Sequence, residues 1–363
     1  RALLHQNPFT EARICLNRVL LEDAYPKLLR KSSQSVYPAE EIHLPSIEEH
    51  QAIANKMLSG KNMSSSDMIW MLNGGISQFI FNKNPNRAFY LEESVPLQWM
   101  NPYLVPYGII MKFDSFNEIS SATIASGQGG KGFKTGEKLK VIMPFESTLP
   151  APEREAIFEV VKIDDNGGIT SLHMKDNGNY QKLPPQPVVL KGEGNHTAKA
   201  YINHNRIPTY PDELPLDILS RDRKFWQQYA ERLVGSHVVK PDTKVDTLCN
   251  WARRTYLRRN HSGHTTTQRR FLRDYVAQRN FATLRLSVAR VYRWRARVLK
   301  SKIEQLKLLR APERVKARGQ IESLSAMKEA LVAEADFAFR QAISFGSTHP
   351  VATGNYLEFL LDN

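Results

Sequence analysis

Between Gly263 and Pro312 the chain contains neither glycine nor proline. Those two residues most readily end a helix, glycine through its entropy and proline through its missing donor and ring clash. The stretch is therefore permitted to form one long helix or two abutting ones. From Asn250 to Lys302, overlapping it, lie thirteen arginines, two lysines (Lys300 and Lys302) and a single acid, Asp274. Fifteen cations against one acid leave +14, and the whole chain is +13, so everything outside this segment sums to −1. The excess charge is local.

The arginines are Arg253, Arg254, Arg258, Arg259, Arg269, Arg270, Arg273, Arg279, Arg285, Arg290, Arg293, Arg295 and Arg297. Aromatic residues are threaded among them: Trp251, Tyr256, Phe271, Tyr275, Phe281, Tyr292 and Trp294. A guanidinium is permanently charged, makes forked bonds to carboxylate or phosphate, and stacks on aromatic faces. An ordinary solvated helix face would mix both signs. Here the cations outnumber local acids so heavily that their repulsion calls for an outside anion. These thirteen arginines and Trp294 are the candidate partner-binding set. In the long run Leu284, Val288, Val291 and Val298 recur at helical spacing, with Tyr292, Leu299, Ile303 and Leu306 on a neighbouring stripe. That pattern places Arg285, Arg290, Arg293, Arg297 and Lys300 on the outward circumference. Neutralising Arg290, Arg293 and Arg297 together is then expected to weaken docking and leave the rest of the fold intact.

The remainder of the 363 residues suggests an α+β protein of several segments. Residues 1–117 read as a mixed helical and extended arm. Thr10 caps a helix expected over Phe9–Arg30, Ser46 caps one over Ile47–Leu58, and Ser64 precedes another over Met68–Leu72. Prolines 85, 96, 102 and 106 make residues 82–107 look irregular. Residues 118–205 read as a small antiparallel β module of short strand-like runs, with Asp164-Asp165-Asn166-Gly167-Gly168 as a hairpin turn. A proline-rich connector, 206–220, leads into an arginine-rich helical domain, 221–363. There Leu216–Val234, Thr247–Arg259 and a return helix near Glu313–Ile343 are expected, with Gly346 as a cap.

The β module carries an internal echo. Gly132-Phe133 is followed eight residues after the aromatic by Val141, and Gly178-Asn179-Tyr180 likewise by Val188. The tail Gly192-Glu-Gly194 … Ala198-Lys-Ala200 completes the pattern. It resembles a glycine- and aromatic-punctuated module found in phage and other assembly proteins, which implies a structural role.

Motifs for chemistry are sparse. Gly127-Gln-Gly129-Gly130-Lys131-Gly132 has dinucleotide-fingerprint spacing, but Phe133-Lys-Thr-Gly-Glu137 reads as turn and strand where that fingerprint requires a helix. No cofactor is expected. His261-Ser-Gly-His264 lacks a neighbouring third ligand, so it reads as turn chemistry that adds charge to the arginines at lower pH, and no metal is expected. Acidic pairs such as Glu48-Glu49 are adjacent in sequence and point apart. The expectation is a protein without catalytic residues. Cys15 and Cys249 form no framework, and no apolar run is long enough to span a membrane. A chain opening on Arg1 suggests a removed leader.

Thr265-Thr-Thr-Gln-Arg-Arg-Phe271-Leu-Arg273-Asp274-Tyr-Val resembles a helix of phycobilisome linker polypeptides, although the order of arginine and acid before Phe271 differs and the Leu-Gly-Arg turn is missing. The resemblance implies a basic scaffold subunit that docks arginine-rich helices onto acidic phycobiliproteins on the stromal side of a chloroplast. The alternative is an organelle-specific ribosomal protein, for example in the mitochondrial matrix, whose arginines meet rRNA phosphates.

Overall fold

The computed structural model of the protein describes residues 13–15, 43–59, 64–91, 97–144, 149–193, 196–235, 239–346 and 350–362. The strands, in chain order, are β1 (Arg13–Cys15), β2 (Ala88–Leu91), β3 (Leu104–Tyr107), β4 (Ile110–Phe113) and β5 (Ser115–Ile124). They continue with β6 (Lys138–Ile142), β7 (Ile157–Ile163), β8 (Ile169–Asp176), β9 (Val188–Lys191) and β10 (Thr197–Pro208). The helices are α1 (Ile47–Leu58), α2 (Ser65–Lys83), α3 (Leu216–Leu233), α4 (Val245–Ala252) and α5 (Thr266–Phe271). After them come α6 (Tyr275–Lys307), α7 (Ala311–Lys316), α8 (Arg318–Phe345) and α9 (Pro350–Asp362). The expected α+β class holds, with the helical part C-terminal. The chain packs as two compact units that interleave along the sequence. One gathers Asp114–Thr209 with the described part of Arg18–Ala88, and the other gathers Phe89–Phe113 with Tyr210–Asn363.

In the first unit the sheet order is β5-β10-β9-β6-β7-β8, with antiparallel neighbours throughout. Its two edges also meet. Asn117 on β5 exchanges backbone hydrogen bonds with Tyr180, just past β8, at 2.7 and 3.0 Å. The sheet thus curls into a small barrel, which removes most of the open edge. Alternation along β10 turns Ala198, Ala200 and Ile202 inward, as period-2 geometry requires. The internal echo has a physical meaning: Phe133, Tyr180, Val141 and Val188 all enter this one core. Gly132 and Gly178, ahead of the two aromatics, have φ of +79° and +67°. A Cβ at Gly178 would stand 2.6 Å from the Ala156 nitrogen, so the turn admits no side chain there. The Asp164–Gly168 turn closes β7 onto β8 as expected, with Asp164 Oδ1 accepting from the Asn166 and Gly168 nitrogens. The glycine run 127–132 joins two strands, and Gly129 O accepts from Ile169 N at 2.9 Å.

Helix α1 begins at the expected Ser46 cap, and Glu49 bonds back to the Ser46 nitrogen to complete a capping box. Helix α2 starts from the Ser64 cap but runs on to Lys83, well past the expected Leu72. Arg206 of β10 fixes its far end by donating to the carbonyls of Phe81 and Asn84, with its guanidinium 3.9 Å from the Phe81 ring. The helix expected over Phe9–Arg30 lies mostly outside the described residues. At Arg13–Cys15 the structure has a strand instead, because sheet pairing overrides a local helical pattern.

A second sheet is four-stranded, order β1-β2-β4-β3, and β3 and β4 lie wholly within the second unit. Two segments of the stretch that looked irregular, β2 and β3, are therefore strands. Pro106 is compatible because β3 lies at the edge, where a missing donor leaves no ladder bond unmade. The glycine-free run forms two helices, not one. Between α5 and α6 Asp274 leaves helical geometry and accepts from Ala277 N at 3.0 Å, capping α6. The apolar stripes of α6 are buried at Val288, Val291, Tyr292, Leu299 and Ile303. Helix α8 returns along α6, bringing the Phe345 ring within 5.8 Å of Phe281. Gly346 ends α8 at extended φ, where a Cβ would meet Gln278 O of α6 at 3.3 Å.

Candidate functional site

The candidate arginines divide into two groups near residue 280. Beyond it they are engaged within the chain. Arg285 is 0% exposed. Its Nη1 donates to Asp222 Oδ2 at 2.7 Å and its Nε to Gln341 Oε1 at 2.7 Å. Tyr292 OH donates to the same Asp222 oxygen at 2.8 Å, and burial raises the phenol's pKa well above its ordinary value. The sequence placed Arg285 outward, and the structure reverses that because α3 presents Asp222 to it. The sign was available: Ile218, Leu219, Asp222 and Trp226 share one helical stripe, so an acid sits among core residues. Glu334 is a second such acid. It is buried on α8, where desolvation raises its pKa and Arg223 donates to it.

Arg295 is also wholly buried, and among the described residues no carboxylate lies in hydrogen-bond reach of it. It donates to the carbonyls of Tyr210 at 2.6 Å, Pro102 at 3.1 Å and Leu104 at 3.1 Å. Burial lowers its pKa to about 10. Half-buried Trp294 has the Arg295 guanidinium 5.9 Å from its ring. Arg293 donates to Glu358 at 3.1 Å and to Asp362, and Arg297 also donates to Asp362. These bonds hold the Asp362 carboxyl below its usual range. Arg290 Nε donates to Asn355 Oδ1 at 2.9 Å. The three arginines expected to face a partner thus secure α9 against α6.

Before residue 280 the picture is opposite. Arg253, Arg254, Arg258, Arg259, Arg269, Arg270, Arg273 and Arg279 are all exposed. Among the described residues none of the eight pairs with a carboxylate. Asp274, the lone acid nearby, is occupied as the α6 cap. Short elements assemble this corner. α4 runs directly into a π-helical turn, Arg253–Leu257, a widened geometry that recurs at functional positions. Tyr256 pins that turn by donating to the carbonyls of Ser344 at 2.6 Å and Phe345 at 3.1 Å. The helix end is closed by Arg258 N on Arg253 O and Asn260 N on Arg254 O. That closure holds Arg259 at φ +49°, in the left-handed region. Glycine is the usual occupant, and an arginine there costs about 1 kcal/mol.

Under the arginines sit two imidazoles. His264 is 5% exposed, and its ring nitrogens make no well-formed hydrogen bond, only weak contacts to the backbone of His261 and Ser262. Trp251 Nε1, Thr255 Oγ1 and His261 Nδ1 are unpartnered and buried. The His264 ring centroid lies 6.3 Å from that of Trp251 and 6.4 Å from that of His261. Burial lowers the pKa of His264, the carbonyls of His261 and Ser262 oppose this, and the charges of His261 and Arg254 add to the lowering. His261 is lowered by burial and then by Arg273, Arg269 and Arg259. The histidines were expected to reinforce the cluster in mild acid, whereas their surroundings make them take up a proton less readily. Arg259, Arg269 and Arg273 thus lie close enough to His261, and Arg254 to His264, for their charges to be felt there.

Among the described residues no group of three or more His, Cys, Asp or Glu is placed to hold a metal ion. No described helix is long and apolar enough to cross a membrane. What this corner offers chemically is dense, permanent positive charge with forked donors. Comparison of the chain with protein-family models, with curated proteins and with solved structures finds no match.

Proposed function

We propose that this chain is a non-enzymatic structural subunit that joins a larger assembly by docking its exposed arginine corner, residues 253–279, onto a polyanionic partner. The observation that carries the reading is the division of the arginines. Among the described residues, the same chain that neutralises Arg285, Arg293 and Arg297 with its own carboxylates pairs none of the other eight with an acid. Free like charges crowded together destabilise the isolated state, and an external anion relieves that repulsion. The small closed barrel supports a structural role, since its glycines and aromatics serve packing. The likeness of residues 265–276 to phycobilisome linkers supports the same type of work, a basic scaffold among acidic neighbours. The α6 face that such a linker would offer is already covered by Asp222, Glu358 and Asp362, so docking falls to the corner alone.

The test is incorporation. The full chain carrying Arg254→Gln, Arg258→Gln, Arg269→Gln and Arg273→Gln is expressed beside the parent and native complexes are isolated at moderate salt. The variant should fold, by circular dichroism, and should elute from its partners at much lower salt. A folded variant that co-purifies with the same partners to the same salt overturns the reading.

A further inference from the structure

We propose that the arginine corner is a phosphodiester-docking surface for nucleic acid, and that Arg259 is held in left-handed backbone geometry so that its guanidinium joins the phosphate-binding set. The inference rests on the docking role above and names its partner.

The kind of surface decides between phosphate and protein carboxylate. Protein partners meet across an apolar centre from which charge is depleted, with charges pushed to the rim. Nucleic-acid interfaces are more polar and far more positive throughout. Between residues 253 and 279 the exposed side chains include eight arginines, and the exposed large apolar ones are Leu257, Tyr275 and Val276. That surface has no apolar centre for a protein to cover. Tyr275 is 61% exposed and stands one helical turn before Arg279 on α6. An exposed ring bracketed by guanidiniums is a platform on which an unpaired base can stack.

Arg259 supplies the independent observation. The helix end closes around a left-handed residue whose backbone nearly any sequence would fill with glycine or asparagine. Strain of this type is retained where the side chain has a use. Its charge is felt at His261 together with those of Arg269 and Arg273, so the left-handed residue belongs to the same charged corner. Arg254 bears in turn on the buried His264.

The experiment measures binding of the full chain to a short labelled single-stranded oligonucleotide, to its duplex and to poly-glutamate, across a salt series, with Tm recorded in parallel. The parent should bind the oligonucleotides with a steep log–log salt slope, shallower by about 3 in the Arg254, Arg259, Arg269 and Arg273→Gln variant, because each lost single-strand contact removes about 0.7. Arg259→Gly should lower the slope by about 1 while Tm stays or rises. Arg310→Gln with Arg314→Gln and Lys316→Gln, at the other end of α6, should leave the slope unchanged. A stronger response for single strand than for duplex assigns Tyr275 its stacking role, and equal response leaves the phosphates as the whole contact; either supports the proposal. It is overturned if Arg259→Gly binds as the parent, or if the distal triple variant loses slope equally. Binding to poly-glutamate through the four arginines, without binding to oligonucleotide, overturns the phosphodiester inference and leaves the docking role standing. Failure to bind either polyanion removes both.

Discussion

The arginines before residue 280 and those after it come from one compositional run, yet they do opposite things. Arg285 and Arg295 lie in the interior, one facing a carboxylate and the other three carbonyls. The corner arginines are exposed, and among the described residues none of them pairs with an acid. The difference is set by what packs opposite. Helices α3 and α9 bring Asp222, Glu358 and Asp362 to α6, whereas α5 brings further arginine to the turn after α4. Density of one charge in a sequence therefore does not mark a surface; the neighbours of each residue do.

The contrast between the two groups is most exposed to disproof at Arg285. Replacing it by Met strands Asp222 in the interior with Tyr292 as its remaining donor, at a cost of about 3–5 kcal/mol in chemical unfolding. A loss below about 1 kcal/mol would mean that Arg285 is as dispensable as a corner arginine. Next in size, Arg293→Gln with Arg297→Gln should destabilise by about 1 kcal/mol, since both meet Asp362 near the surface. The loss should appear as faster amide exchange in α9; uniform exchange there would remove its ionic tether. Smallest is the corner itself. Glutamine at Arg254, Arg258, Arg269 and Arg273 should change stability by less than about 0.5 kcal/mol while releasing a bound polyanion at much lower salt.

A pH measurement sharpens the same contrast. The folded state holds His264 below its ordinary pKa of 6.5, so the unfolded chain binds the proton first as acid is added. Stability should fall as pH drops through 6.5, continuing until the folded-state group also titrates. His264→Phe removes both weakly bonded nitrogens and keeps a ring against Trp251, so Tm should lose part of that acid dependence. An unchanged acid limb would show that the corner's buried imidazole is not under strain.

Much of the fold was legible in the residues. Alternation and the Asn166-Gly167 turn identify the strands of the barrel, and helical spacing identifies the buried stripes of α6. What the sequence hides is pairing at long range. The strands β2 and β3 look irregular because short strands among prolines gain their order from partners, not from local preference. Arg285 reads as a surface residue because its partner stands 63 positions earlier. Asp222 within an apolar stripe was the usable hint. Arg259 gives no hint at all, since left-handed geometry at a non-glycine residue comes from how the π turn closes.

The Arg295 clamp has a consequence for how the chain is made. One guanidinium grips Pro102 and Leu104, which lie ahead of the barrel in sequence, and Tyr210, which lies after it. During synthesis the strands around residue 104 emerge long before the helix that secures them. The barrel can mature in that interval, while its companion waits open, with loop-closure entropy still unmet, until the last third of the polypeptide leaves the ribosome.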